Sequence, residues 1–166
     1  SLLGVPGLIQ AVRAGHVRVI NPIGSALLED RALFCFIPAL ARFFLGQDLL
    51  LPQCPALWLK GPAAMAEVRA NPLKYIIKNT NNRSGHAHRQ GREMSAAAWI
   101  DYLDTTVAAN PAAFMAQTIF QGKPTALCQH STVQAGQMIL RTFSLREDGN
   151  AIVLPGGLAR VTANPD

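Results

Sequence analysis

Charge is scarce in this chain, and the common fingerprints of nucleotide and metal chemistry are missing. Only 15% of its 166 residues are charged, while 49% are hydrophobic. Average soluble domains carry about 25% charged residues. Surfaces rich in apolar side chains are therefore left to cover, which points to a fragment or a homo-oligomer. Ser1 in place of a starting Met, and no terminating element over residues 162–166, point to a fragment too. Processing or a tag scar would also remove a Met. Cysteine is rare: Cys35, Cys54 and Cys128 lie far apart with no Cys-x-x-Cys pair. That argues against a disulfide framework and for reduced thiols in a cytoplasmic protein. No signal peptide is visible. A membrane helix needs roughly 20 mostly apolar residues, and the longest apolar run, 32–52, is broken by Pro38, Arg42, Gln47 and Asp48. No Walker loop, dinucleotide fingerprint, His-Glu-x-x-His pair or Gly-x-Ser-x-Gly elbow occurs.

What is present begins with a net charge of +5 and a run rich in Arg and His over residues 83–92. This run reads either as a solvated loop or as a mobile anion-binding loop. No aromatic residues interleave with its charges, which argues against nucleic acid as a partner. His86 and His88 stand two apart without a nearby cysteine or carboxylate cluster, so no metal ligand is assigned here.

The spacing predicts a helix over 6–14 ended by Gly15, and a short strand over 17–20. The turn at residues 21–25 would then lie at that strand's carboxyl end, where open α/β folds collect ligands. Residues 26–45 read as helix in two pieces around Pro38, stopping at Gly46. A strand is expected at 49–51, a helix over 61–70 and a strand at 75–79. Ser95 is a good N-cap for a helix over 96–108, with Trp99, Ile100, Leu103 and Val107 on one face. Strands follow at 114–120 and 137–145. The tail then forms a hairpin with turns at Asp148-Gly149 and at Pro155-Gly156-Gly157. Strands alternate with helices early and dominate late, a pattern of α/β passing into α+β with a mixed sheet flanked by helices. The polar loop 79–92 separates a front half from a back half.

Four places carry candidate chemistry. Lys78 ends an apolar strand, where a compact cation can meet phosphate oxygens, or simply surface. Phe114-Met115-Ala116-Gln117 reads either as a strand whose backbone groups meet a purine edge or simply as a core strand. Arg141 and Arg160 can each bond phosphate bidentately, and Gly156-Gly157 allows close backbone approach or positive φ. A hairpin with solvated arginines has the same sequence. Asn21 is either a metal or phosphate contact or the start of an Asn-Pro turn. Ser25 has no obvious base, and Glu29-Asp30 fit a helix N-terminus without a catalytic role.

The order of motifs then carries a resemblance. Leu3-Gly-Val-Pro-Gly-Leu8 comes first, followed by Asn21-Pro-Ile-Gly-Ser-Ala-Leu-Leu-Glu29. Ile76-Ile-Lys78, Met115-Ala-Gln117, Leu140-Arg-Thr-Phe143 and Leu154-Pro-Gly-Gly-Leu-Ala-Arg-Val161 complete the set. Together they resemble the bacterial circularly permuted ATP-grasp proteins, type 2, a group distantly akin to glutathionylspermidine synthases. The resemblance covers essentially the whole chain. It implies a partial ATP-grasp fold, with a core segment over 1–70 and a nucleotide-binding subdomain over 71–166. It also implies an ATP-dependent ligase that activates a carboxylate as an acyl phosphate for attack by an amine or thiol. By that resemblance Lys78 contacts ATP phosphates. The backbone of Met115, Ala116, Gln117 and Thr118 holds adenine. Arg141 and Arg160, with Gly156 and Gly157 beside them, face the triphosphate and the transferring phosphoryl group, and Asn21 lies near metal or phosphates.

The chain departs from the family pattern in three ways. The lysine strand continues into Asn79-Thr-Asn-Asn-Arg83 instead of a Pro and a glycine-rich stretch. Thr118 stands where a Glu follows the Gln. The acidic Mg2+ ligands are expected outside this segment, in the rest of the polypeptide before Ser1. The expected partners are therefore ATP, Mg2+, an unknown carboxylate and amine, and the remaining polypeptide, with neither nucleic acid nor membrane. The departures also fit a non-catalytic binding or scaffolding module of the same shape, and the fragment alone is expected not to hydrolyse ATP.

Overall fold

The computed structural model describes residues 5–20, 23–81, 88–120, 122, 124–129 and 131–162. Its contacts divide the chain into two units, Ser1–Ile119 and Phe120–Asp166. All strand pairings are antiparallel among the described residues, in place of the mixed sheet expected, and the class is α+β.

The first unit begins with four short helices: α1 (Leu8–Arg13), α2 (Ala26–Glu29), α3 (Arg31–Phe34) and α4 (Ile37–Leu45). The expected break at Pro38 falls earlier. Asp30 leaves the helix and caps α3, its Oδ1 accepting from Ala32 N at 2.8 Å. Pro38 instead sits in the first turn of α4, where its missing N–H costs nothing. Gly46 ends α4 at φ 66, the left-handed stop its position demanded.

Neither 17–20 nor 49–51 forms a strand. Ile20, Leu50 and Leu51 are exposed, and a β-branched or apolar run without a neighbour to pair with gains nothing from an extended shape. Without that strand, residue 21 does not follow a strand's carboxyl end, and Asn21 itself lies outside the described residues.

A four-stranded sheet forms the centre, in the order β1-β4-β2-β3. Its strands are β1 (Ala56–Trp58), β2 (Tyr75–Asn79), β3 (Arg89–Gln90) and β4 (Phe114–Thr118). Helices α5 (Pro62–Ala70) and α6 (Ala96–Tyr102) complete the unit, α6 running into a π-helical turn at Leu103–Val107. Ser95 starts α6 as expected, its Oγ accepting from Ala98 N at 3.2 Å. Trp99, Leu103 and Val107 then share one buried face. They pack with Leu59 and Val68 against Tyr75, Ile77, Phe114 and Ala116, which the register places on one face of the sheet. Arg69 on α5 donates to both carboxylate oxygens of Asp104, tying α5 to the π turn.

Gly91 sits where no side chain fits. It is buried at the start of a 3-10 turn, Gly91–Glu93, against the turn Pro72–Lys74. A Cβ there would overlap the Pro72 carbonyl oxygen and stand 2.7 Å from its carbon. Because the obstacle is backbone, Gly91→Ala is expected to destabilise the full-length protein by about 1–3 kcal/mol. Denaturant unfolding checks this, and an unchanged midpoint would contradict the packing described.

The second unit is a three-stranded sheet, β5-β6-β7, made of Thr125–Gln129, Thr132–Glu147 and Asn150–Thr162. The hairpin turn stands where expected. Asp148 at φ 48 and Gly149 at φ 84 supply the two positive φ angles of a type I′ turn between the paired Glu147 and Asn150. The second expected turn, at residues 155–157, is instead a bulge inside β7. Thr142 pairs with Gly157 and Ser144 with Val153, so residues 154–156 face Phe143 alone. Gly156 takes φ 147, and a Cβ on Gly157 would stand 2.8 Å from the Arg141 carbonyl oxygen. The glycine pair thus serves both positive φ and close approach.

Candidate functional site

Alternation along β2 decides what Lys78 can reach. Tyr75 and Ile77 point into the core, so Ile76 and Lys78 point to the opposite face. On β4 the same face carries Met115 and Gln117, because Lys78 pairs with Met115 and Ile76 with Gln117. Lys78 Nζ crosses the diagonal and donates to Gln117 Oε1 at 2.7 Å. Both side chains are half-buried.

α3 packs against β4, and Phe36 stands edge-on to the Trp58 ring at 5.9 Å on this face. At its start, Arg31 N donates to Thr80 O, and Arg31 Nη1 donates to Asn79 O, both at 2.9 Å. The guanidinium is thereby anchored to the exit of β2, next to Lys78. Burial pushes the Lys78 ammonium below the ordinary lysine range, the nearby Arg31 adds to this, and Cys54 acts the other way. Burial also lowers His88, with Lys78 and Arg31 as further causes. Three cationic or basic groups therefore share one neighbourhood, and the acceptor for Lys78 is a neutral amide. Such a cluster gains from an anion, because a bound phosphate supplies the opposite charge that the neutral amide does not.

The stretch Met115–Thr118 is more enclosed. β4 is flanked by β1 and β2, with Trp58, Leu57 and Ala56 paired to Met115, Ala116 and Gln117 from one side. Its backbone groups are engaged in these ladders. Thr118 N and Thr118 Oγ1 both donate to Pro55 O, at 2.9 and 2.7 Å. Ile119 N donates to Lys74 O at 2.9 Å.

In the second unit, Arg141 pairs with Leu158 and Arg160 with Ile139. Arg141 and Arg160 thus lie diagonally on one face of the β6-β7 hairpin, and both are exposed. The bulge at Pro155 and Gly156 lies before Arg160 along β7. Among the described residues no group of three His, Cys, Asp or Glu side chains is placed to hold a metal ion. Residues 82–87, including His86, lie outside the described residues. No described helix is long and apolar enough to cross a membrane. Cys35 is half-buried, and burial raises its thiol above the ordinary range.

Arg31, His88 and the Gln117 side chain were not among the sequence-derived phosphate contacts. Arg31 lies 48 positions from Asn79 along the chain, and only the packing of α3 beside the sheet joins them. The one local signal was Asp30, whose capping role fixes where Arg31 starts its helix.

The chain resembles several bacterial proteins, themselves uncharacterized. It is 25% identical over 161 residues to one from Synechocystis sp., covering 97% of this chain and 33% of the relative. It is 27% identical over 163 residues to one from Mycobacterium tuberculosis, covering 97% of this chain and 29% of the relative. A second protein of that organism is 31% identical over 166 residues, covering 98% of this chain and 18% of the relative. The chain thus spans a third or less of the length of these relatives. The sequence matches the family described as circularly permuted ATP-grasp type 2 over residues 1–162, and the motif order read from residue 3 to residue 161 falls within that match. The chain belongs to the circularly permuted ATP-grasp type 2 family.

Proposed function

We propose that this chain supplies phosphate-binding residues to an ATP-dependent carboxylate–amine ligase. The observation that carries the reading is Lys78: a desolvated ammonium held by a neutral amide beside Arg31, on a strand of an ATP-grasp family member. In the reaction, a carboxylate oxygen attacks the γ-phosphorus of ATP and ADP leaves. The amine nitrogen then attacks the acyl carbon, phosphate leaves with the bonding pair, and the nitrogen loses a proton to form the amide. Lys78 is assigned to the phosphate oxygens. Arg141 and Arg160 are assigned to the charge that builds up on the transferred phosphoryl group. Met115–Thr118 acts as the fixed strand that sets Gln117 beside Lys78. Mg2+ would add positive charge at the phosphates. No described residues form a ligand set for it, and its ligands are assigned to the rest of the polypeptide.

Lys78→Ala removes one charge-assisted contact, a loss of about 1.5–3 kcal/mol. Calorimetric titration of the full-length protein with ATP is expected to show roughly ten- to hundred-fold weaker binding. Equal affinities would overturn the assignment. A second reading, an ATP-grasp-shaped module that binds without catalysis, is favoured by Thr118, whose hydroxyl is bonded to Pro55 where the family pattern has a Glu. ATP binding without ADP release, across a panel of carboxylates and amines, would select it.

A further inference from the structure

We infer that Gln117 is the residue that positions Lys78, and that its neutral amide oxygen is what keeps the ammonium both ordered and available to an anion. The inference rests on the ATP-binding reading for its ligand, and on geometry for the pair itself. Lysine is a flexible chain ending in a point charge, so a strand exit alone does not aim it. Here Gln117 is held from both sides, paired with Ala56 on β1 and Ile76 on β2. Its side chain therefore projects from a fixed backbone. The diagonal register brings its Oε1 to 2.7 Å from Lys78 Nζ, and half-burial narrows the alternatives for both.

The chemistry of the acceptor matters as much as its place. A carboxylate at 117 would hold the ammonium equally well but cancel its charge and repel phosphate. An amide oxygen accepts the hydrogen bond and leaves the positive charge whole. The groups facing Lys78 are otherwise Arg31 from α3, His88 before β3, and Cys54 before β1. Arg31 disfavours its charged form, and among the described residues Gln117 supplies the hydrogen-bond acceptor that orders it.

The test uses the full-length protein and the variants Gln117→Ala, Gln117→Asn, Gln117→Glu and Lys78→Ala. Two readouts are taken: ATP affinity, and the pH midpoint for acylation of the Lys78 amine followed by mass spectrometry. Gln117→Ala is expected to weaken ATP binding about tenfold. Asn, one methylene short, should behave like Ala, and Glu should bind ATP most weakly of the three. Gln117→Glu is expected to move the Lys78 midpoint up by about one pH unit through the new charge pair. Adding Gln117→Ala to Lys78→Ala should cause no further loss, because Gln117 acts through the lysine. If Lys78→Ala weakens binding and Gln117→Ala does not, the positioning role is wrong and the ATP reading stands. If Lys78→Ala leaves binding intact, the ATP reading fails. The acylation midpoint then still judges the pair, and an unmoved midpoint in Gln117→Glu overturns it.

Discussion

Trp99→Ala is expected to lower stability by about 3–5 kcal/mol, the range for removing a buried aromatic side chain. Trp99 is 1% exposed and sits at the centre of the first unit's core. Its indole Nε1 donates to the Val68 carbonyl at 3.3 Å, so the substitution empties a large volume and also strips a buried acceptor of its donor. Val68 belongs to α5 and Trp99 to α6, and the two helices lose their shared contact together. Other parts of a long polypeptide can hide such a loss in a global unfolding curve. Amide exchange of residues 96–107 in the full-length protein therefore gives the sharper measurement. Exchange there should accelerate by two or more orders of magnitude, and unchanged protection would refute the account of the core.

Arg160→Ala is expected to reduce ATP-dependent turnover by about a thousand-fold. An arginine that stabilises a phosphoryl-transfer transition state contributes a factor of roughly 10³ or more. Arg160 and Arg141 lie on one face of the β6-β7 hairpin, and the bulge in β7 precedes Arg160. Arg160 is exposed, so stability should change by no more than about 0.5 kcal/mol, and the loss should fall on turnover. Arg160→Lys should recover little, because an ammonium does not reproduce the two-pronged contact. The assay is ADP formation by the full-length protein across a panel of carboxylates and amines. A rate within threefold of wild type would remove Arg160 from the reaction.

Local physics made several features legible in the sequence. Gly46 stops a helix because only glycine takes φ 66 cheaply, and Ser95 starts one because its hydroxyl reaches Ala98 N. Asp148-Gly149 is a turn for the same local reason. The strand at Tyr75–Asn79 is announced by its β-branched run, and Lys78 by its place at the exit. The misses have a common cause. β1 and β3 are three and two residues long and exist only because β4 and β2 pair with them. Residues 17–20 have the composition of a strand, but among the described residues no strand pairs with them. Arg31 and Gln117 belong to the candidate site through contacts made 48 and 39 positions away along the chain. Such contacts are set by the sheet register and by α3, neither of which a local pattern encodes.

The bulge in β7 also bears on self-association. β7 is thirteen residues long and lies at the edge of its sheet, with Val153, Leu154 and Leu158 exposed. A long apolar edge with free backbone groups is a template for a second chain to add as another strand, and from there for stacking into fibrils. Pro155 has no N–H to offer such a strand, and the three-against-one bulge throws the two halves of β7 out of line. An incoming strand can follow only a few residues on either side before its ladder is interrupted. The same irregularity that sets the glycine pair before Arg160 thus also breaks up a long apolar edge.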